Sequence, residues 1–104
     1  MQVTIIGRHA DVPADLKRYI EEKCDKLPHY YDRVMAVEVI VEVEQPTVKR
    51  VEMVISVAGH EDFVAKEKGT DFFACFDICL DHIEKQLTKH KARVRDHKHQ
   101  VKSQ

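Results

Sequence analysis

Glycine is scarce in this chain, and the three present, Gly7, Gly59 and Gly69, stand far apart. A loop that cradles phosphate through its backbone needs glycines close together, so that class of nucleotide site is excluded. Cysteine is equally sparse. Cys24, Cys75 and Cys79 are odd in number and form no CxxC pair. A disulfide framework is not expected, and reduced thiols in a reducing compartment are the simpler account. No apolar run approaches the roughly 20 residues of a membrane span. The N-terminal MQVTIIGRHAD lacks the basic start, long apolar run and small-residue cleavage site of a signal peptide. These absences point to a cytoplasmic protein with no membrane partner. Cys, His and Asp are all present, but no recognised catalytic spacing joins them, so no catalytic residue, cofactor or enzyme activity is expected.

What is present fits one soluble domain. The chain has 104 residues, 43% hydrophobic and 34% charged, enough for a single core. Its formal charge of −1 hides an asymmetry. Residues 1–83 hold ten Lys and Arg against sixteen acids, whereas residues 84–104 hold seven against two. A positive end on a nearly neutral chain suggests a polyanionic partner. The plainer alternative is a solvated helix end whose charge complements the helix dipole.

The pattern along the chain is readable. QVTIIGRH is a first strand, with Val3 and Ile5 on one face. In DVPADLKRYIEEKCDKLPHYYD, Pro13 suits a first helical turn. Leu16, Tyr19, Ile20, Lys23 and Leu27 keep helical spacing, with only Lys23 polar, and Pro28 predicts an end near Leu27. Val37, Val39, Val41 and Val43 then alternate with Glu38, Ile40, Glu42 and Glu44, the period of a strand with one buried face. After the turn QPT, Val51, Met53, Ile55 and Val57 repeat that period. After AGH, Phe63 and Ala65 do so again. Thr70 or Asp71 can cap a second helix. Its stripe of Phe73, Phe76, Leu80, Ile83 and Leu87 steps by three and four, and the helix is expected to run to about Asp96.

The order β-α-β-β-β-α with one apolar face per strand predicts an α+β two-layer sandwich. Two helices pack on one face of a four-stranded mixed sheet, the first two strands joined by a right-handed parallel crossover. Residues 1–96 form the domain, and 97–104 are expected to be a basic, disordered tail. The second helix should outrun the sheet and hold its basic end in solvent. Lys17, Lys23, Lys26 and Arg33 lie on or just after the first helix. Lys85, Lys89, Lys91, Arg93 and Arg95 lie on the second, so neighbouring helix ends can gather these charges against phosphate. His90, Tyr30 and Tyr31 can stack on unpaired bases; for at least one tyrosine, core packing is the competing role. Cys75, Cys79 and His82 share a helical face but lack a fourth ligand, and His97 and His99 offer only a weak exposed pair. No metal site is expected.

Three motifs carry a resemblance. KCDKLPHYYDRV, with Lys23, Lys26, Leu27, Tyr30, Asp32 and Arg33, resembles the segment after the first helix in ribosome hibernation-promoting factors. DFFACFD, with Asp71, Phe73, Ala74, Phe76 and Asp77, resembles the start of that family's second helix. EKQLTKHK, with Gln86, Leu87, Lys89, His90 and Lys91, resembles its closing signature. The likeness covers about residues 2–96. The family is also called ribosome-associated inhibitor A or sigma-54 modulation proteins. Membership implies the same fold and binding to the small (30S) ribosomal subunit at the decoding region, on 16S ribosomal RNA where messenger and transfer RNA would sit. It implies translation stopped, and idle ribosomes preserved, under stress or in stationary phase. The chain looks like a short form and is expected to be monomeric, with a separate ribosome-dimerising factor as a further partner. Pro13, where relatives carry a Thr cap, and Glu67, at a position they keep small, depart from the pattern. The acids Glu38, Glu42, Glu44, Glu52 and Asp62 on the outer sheet face argue against RNA there. With Ile6, Ile40, Val54 and Val64 they leave an alternative, a protein-interaction or dimerisation face.

Overall fold

The computed structural model describes the backbone of residues 1–102 and the side chains of residues 1–95. The elements run β1 (Gln2–Arg8), α1 (Ala14–Cys24), β2 (Val34–Gln45), β3 (Val48–Val57), β4 (Phe63–Gly69) and α2 (Phe72–Lys102). The sheet order is β1-β2-β3-β4. The β1/β2 pair is parallel and the two others are antiparallel, as the crossover and two short turns require.

Strand alternation sets the register. Ile5, Val39, Met53 and Ala65 lie side by side across all four strands and face the helices. Val37, Val41, Val51 and Ile55 extend that face, and all are buried. Against them pack Leu16, Ile20 and Cys24 of α1 and Phe72, Cys75, Phe76, Cys79, Ile83 and Leu87 of α2. Each such side chain contributes heavily; truncating Phe76 to Ala should cost about 3–5 kcal/mol through lost transfer energy and a cavity. The start of the α2 stripe differs from the spacing argument. Phe72 enters the core, while Phe73 is half-buried and sits edge-on to Tyr19 of α1, ring centroids 5.3 Å apart. Cys75 and Cys79 fill the stripe as small apolar groups, and His82 is exposed.

The helix ends repay attention because they position the charges. Asp71 caps α2: its Oδ2 accepts from Ala74 N at 3.1 Å. Helix α1 stops at Cys24, three residues before the end expected at Leu27. The chain tightens there into a 3-10 turn over Leu27–His29, with Tyr30 N donating to Leu27 O at 2.9 Å. Pro28 fits that turn, where its missing N–H has no partner to lose. The turn buries Leu27 and Tyr31 while leaving Tyr30 outside.

At its other end α2 passes Asp96 and continues to Lys102. Leu87 is its last fully buried residue among the described side chains, and roughly 22 Å of helix follows it at 1.5 Å per residue. That projection gives the molecule a long axis of 58 Å against 21 and 18 Å across. Side chains beyond Arg95, and Ser103 and Gln104 altogether, lie outside the described residues. Of the segment expected as a tail, 97–104, the backbone to Lys102 continues α2, and the rest lies outside the described residues.

Candidate nucleic-acid interface

The outer sheet face is the simpler surface, and it is less acidic than its glutamates suggest. Glu44 accepts ion pairs from Arg50 at 3.4 Å and Lys68 at 3.1 Å, and Glu52 from Lys66 at 3.6 Å and Arg50 at 3.9 Å. Lys68 and Arg50 hold the Glu44 carboxyl below its ordinary range. Cross-strand neighbours thus interleave the charges, which the one-strand pattern of β2 could not reveal. The expected apolar strip also shrinks. Ile40 is only 5% exposed, because β2 is a central strand and Ile40 lies between Ile6 of β1 and Glu52 of β3. Val64, on edge strand β4, remains exposed.

The basic residues separate into two groups. Lys23 and Lys26, at the end of α1, line a cleft of about 430 Å³ between the helices. Asp77, Asp81 and Glu84 of α2 line the same cleft. Tyr19 closes one end, its hydroxyl donating to Asp77 Oδ1 at 2.7 Å, and Lys23 lies over the Tyr19 ring at 5.4 Å. Tyr30 lines the cleft beside Glu84. The bond to Asp77 raises the Tyr19 phenol above its ordinary pKa, and the Glu84 carboxylate raises that of Tyr30. Lys85 is drawn into this acidic row as well, pairing with Asp81 one turn back at 2.9 Å. The sequence pattern did not expose this row, because Asp77, Asp81 and Glu84 are spaced among core residues of α2. Lys17 is exposed on α1 and lines neither this cleft nor the pocket described next.

The second group is strongly positive. Arg33, in the loop before β2, meets Lys91 and Arg95 of α2 around a pocket of about 240 Å³. Tyr31, Asp32 and Val94 complete its walls, so three cations face one acid. Arg33 is held by its own backbone, whose carbonyl accepts from Ala58 N at 3.0 Å. At about 100° per residue, Lys85, Lys89 and Arg93 point away from the buried Leu87. Lys91 and Arg95 turn toward the loop that carries Arg33. Cations therefore surround more than half of the projecting helix. Among the described residues, none of Arg33, Lys89, Lys91, Arg93 and Arg95 makes an ion pair. Such a surface can take several phosphates at once, with arginine forks giving direction.

His90 is half-buried and turns toward the β3–β4 turn, where it meets His60, a residue the sequence argument passed over. The ring centroids are 4.4 Å apart. Burial first, then His60 and Arg93, lowers the pKa of His90 below the ordinary histidine value. Tyr31 packs edge-on to His90 at 5.2 Å and is buried, so it serves the core, whereas Tyr30 is exposed. Gln86 ties α2 to the sheet edge, its Nε2 donating to Val64 O at 3.3 Å. Among the described residues no three His, Cys, Asp or Glu converge as metal ligands. None of the described helices is long and apolar enough to cross a membrane.

The chain is similar to several known proteins. Residues 3–95 match the family described as sigma 54 modulation protein / S30EA ribosomal protein. A ribosome hibernation promoting factor of Azotobacter vinelandii is 38% identical over 93 residues, covering 89% of this chain and 85% of that protein. The factor of the same name in Escherichia coli K12 is 33% identical over 97 residues, 93% of this chain and the whole of that one. Among solved structures, a ribosomal subunit interface protein from Coxiella burnetii superposes with a TM-score of 0.80 at 22% identity, covering 88% of this chain and 99% of that one. The N-terminal domain of Thermus thermophilus Protein Y gives 0.76 at 23% identity, over 86% of this chain and 99% of that domain. These two likenesses establish the shared fold.

Proposed function

This chain belongs to the sigma 54 modulation protein / S30EA ribosomal protein family, and from that premise we propose that it is a ribosome hibernation factor working in the cytoplasm. It binds the small ribosomal subunit at the decoding region and occupies the path of messenger and transfer RNA. It acts by occupancy rather than by chemistry, stopping translation and preserving idle ribosomes under stress or in stationary phase. The observation that carries this reading is the projecting end of α2, where Lys89, Lys91, Arg93 and Arg95 join Arg33 beyond the last buried residue. A projecting helix with cations around more than half of its circumference suits a groove walled by RNA on several sides, where phosphate contacts supply affinity and position. Lys17, Lys23, Lys26 and Lys85 contribute less in this reading. The last three face or pair with the acids of α2 and act as a balanced flank beside the main contact. The outer sheet face, where Glu44 and Glu52 are paired with Arg50, Lys66 and Lys68, points away from the RNA.

The test is functional. Added to a cell-free translation reaction, the protein should inhibit synthesis in proportion to its ratio to ribosomes, and should co-sediment with small subunits on a sucrose gradient. Undiminished synthesis with the protein in clear excess over ribosomes would contradict the proposal.

A further inference from the structure

Four rings form a continuous array outside the basic pocket. His60, in the β3–β4 turn, stacks on Phe63 with centroids 4.8 Å apart and planes 13° from parallel. His90 of α2 stands at 61° to His60 and 62° to Phe63, 4.4 and 5.4 Å away. Tyr31 then meets His90 edge-on and forms a wall of the pocket lined by Arg33, Lys91 and Arg95. The array thus runs from the β3–β4 turn to the cation cluster without a break.

The three distances decide which ring face is open. His60, Phe63 and His90 make a nearly equilateral triangle of centroids. His90 therefore stands beside the His60–Phe63 stack and not across His60 from Phe63. The second face of His60 is left uncovered by either ring, and His60 is exposed. The ring is also held in place. Its Nδ1 lies 2.7 Å from Glu61 O, and a carbonyl oxygen only accepts, so Nδ1 carries a proton and donates it. Gly59 before it adopts φ +77°, a left-handed turn conformation that glycine takes without strain. A fixed, exposed π face at one end of an aromatic array, whose other end walls a pocket of cations that make no ion pair among the described residues, is a combination that binds a nucleobase and phosphates of the same strand.

We propose that His60, supported by Phe63 and His90, is a stacking platform for one unpaired base of RNA, in a strand whose phosphates are held by Arg33, Lys91 and Arg95. This rests on the ribosome-binding reading and deepens it: the site takes a splayed-out single-stranded nucleotide, where cations alone would take any helix backbone. A metal site is the competing use of two close imidazoles. Zinc takes four ligands, three from protein in its catalytic sites, and no third joins them among the described residues. The depressed pKa of His90 fits the stacking role, since an uncharged ring does not repel His60 or Arg93.

Binding of the full chain to purified small subunits, measured across a salt series, tests the platform. Stacking of one base corresponds to about 1–3 kcal/mol, so His60→Ala should weaken binding roughly 5- to 150-fold. Stacking releases no counterions, so the slope of log affinity against log salt should stay that of the parent. His60→Phe keeps the π face without the imidazole nitrogens and should bind within about threefold of the parent. His60→Leu keeps an apolar contact on Phe63 without a π face; it should weaken binding like His60→Ala, and it replaces that variant if alanine lowers the melting temperature. Chemical probing should show one ribosomal RNA base protected by the parent and by His60→Phe but not by His60→Ala. Parent-like affinity for both His60→Ala and His60→Leu would overturn the platform while leaving ribosome binding intact. So would a His60→Phe variant as weak as His60→Ala. A parent protein that fails to bind small subunits would contradict the proposed function itself and remove the platform with it.

Discussion

At the scale of single residues, the three cysteines show how position decides chemistry. Thiolate is the reactive form. Burial pushes Cys24 and Cys79 up to about 12, with Asp25 adding to the first and Glu67, Cys75 and Glu52 to the second. Cys75 is raised too, by burial and then by Glu67 and Asp71. At pH 8 the thiolate fraction of Cys24 and Cys79 is then on the order of one in ten thousand, and both side chains are fully buried. A disulfide reagent such as dithionitrobenzoate should therefore leave the native protein almost unlabelled and titrate three thiols once denaturant is added. Rapid native labelling at pH 8 would contradict the burial of all three. The sequence already argued against a disulfide framework for these residues, from their odd number and lack of CxxC spacing. It offered no comparable signal for His60, whose partner His90 lies thirty positions away; a contact of that kind is made by tertiary packing, not by local spacing.

At the scale of elements, most of what was legible came from period. Alternation of valines in β2 and β3 fixed which face meets the helices, since a slip of one residue would turn every valine outward. The α2 stripe fixed the second helix in the same way. What period could not supply was the end of α1, where the choice between an α turn and a 3-10 turn depends on burying Leu27 and Tyr31. Nor could it show the pairing of Glu44 and Glu52 with Arg50, Lys66 and Lys68, because the period of one strand does not say which side chains of adjoining strands come to lie together. The start of α2 makes a checkable claim. Asp71 accepts from Ala74 N and offsets the positive helix end, so Asp71→Ala should cost about 1 kcal/mol. For a domain of this size that lowers the melting temperature by about 4–8 °C. Thr70→Ala, which leaves the cap in place, should melt close to the parent. Equal losses for the two variants would mean that Asp71 is not the cap.

At the scale of the whole molecule, the question is where the asymmetric charge comes to rest. The sequence placed an excess of cations in its last fifth; the fold carries them past Leu87 on a helix that outruns its sheet and brings Arg33 to meet them. It also splits the expected surface, setting Lys23 and Lys26 beside Asp77, Asp81 and Glu84. The central claim is that the projecting end of α2 is the RNA contact. The most direct measurement is the salt dependence of ribosome binding for a variant carrying Lys89→Gln, Lys91→Gln and Arg93→Gln together. These are exposed positions, so each change should alter stability by no more than about 0.5 kcal/mol. Single-stranded phosphate contacts each contribute about 0.7 to the log–log salt slope, so losing three should flatten it by roughly 2 and weaken binding steeply at low salt. Lys66→Gln, on the outer sheet face, should bind like the parent. A triple variant that melts with the parent and binds ribosomes with the same affinity and the same slope would contradict the account.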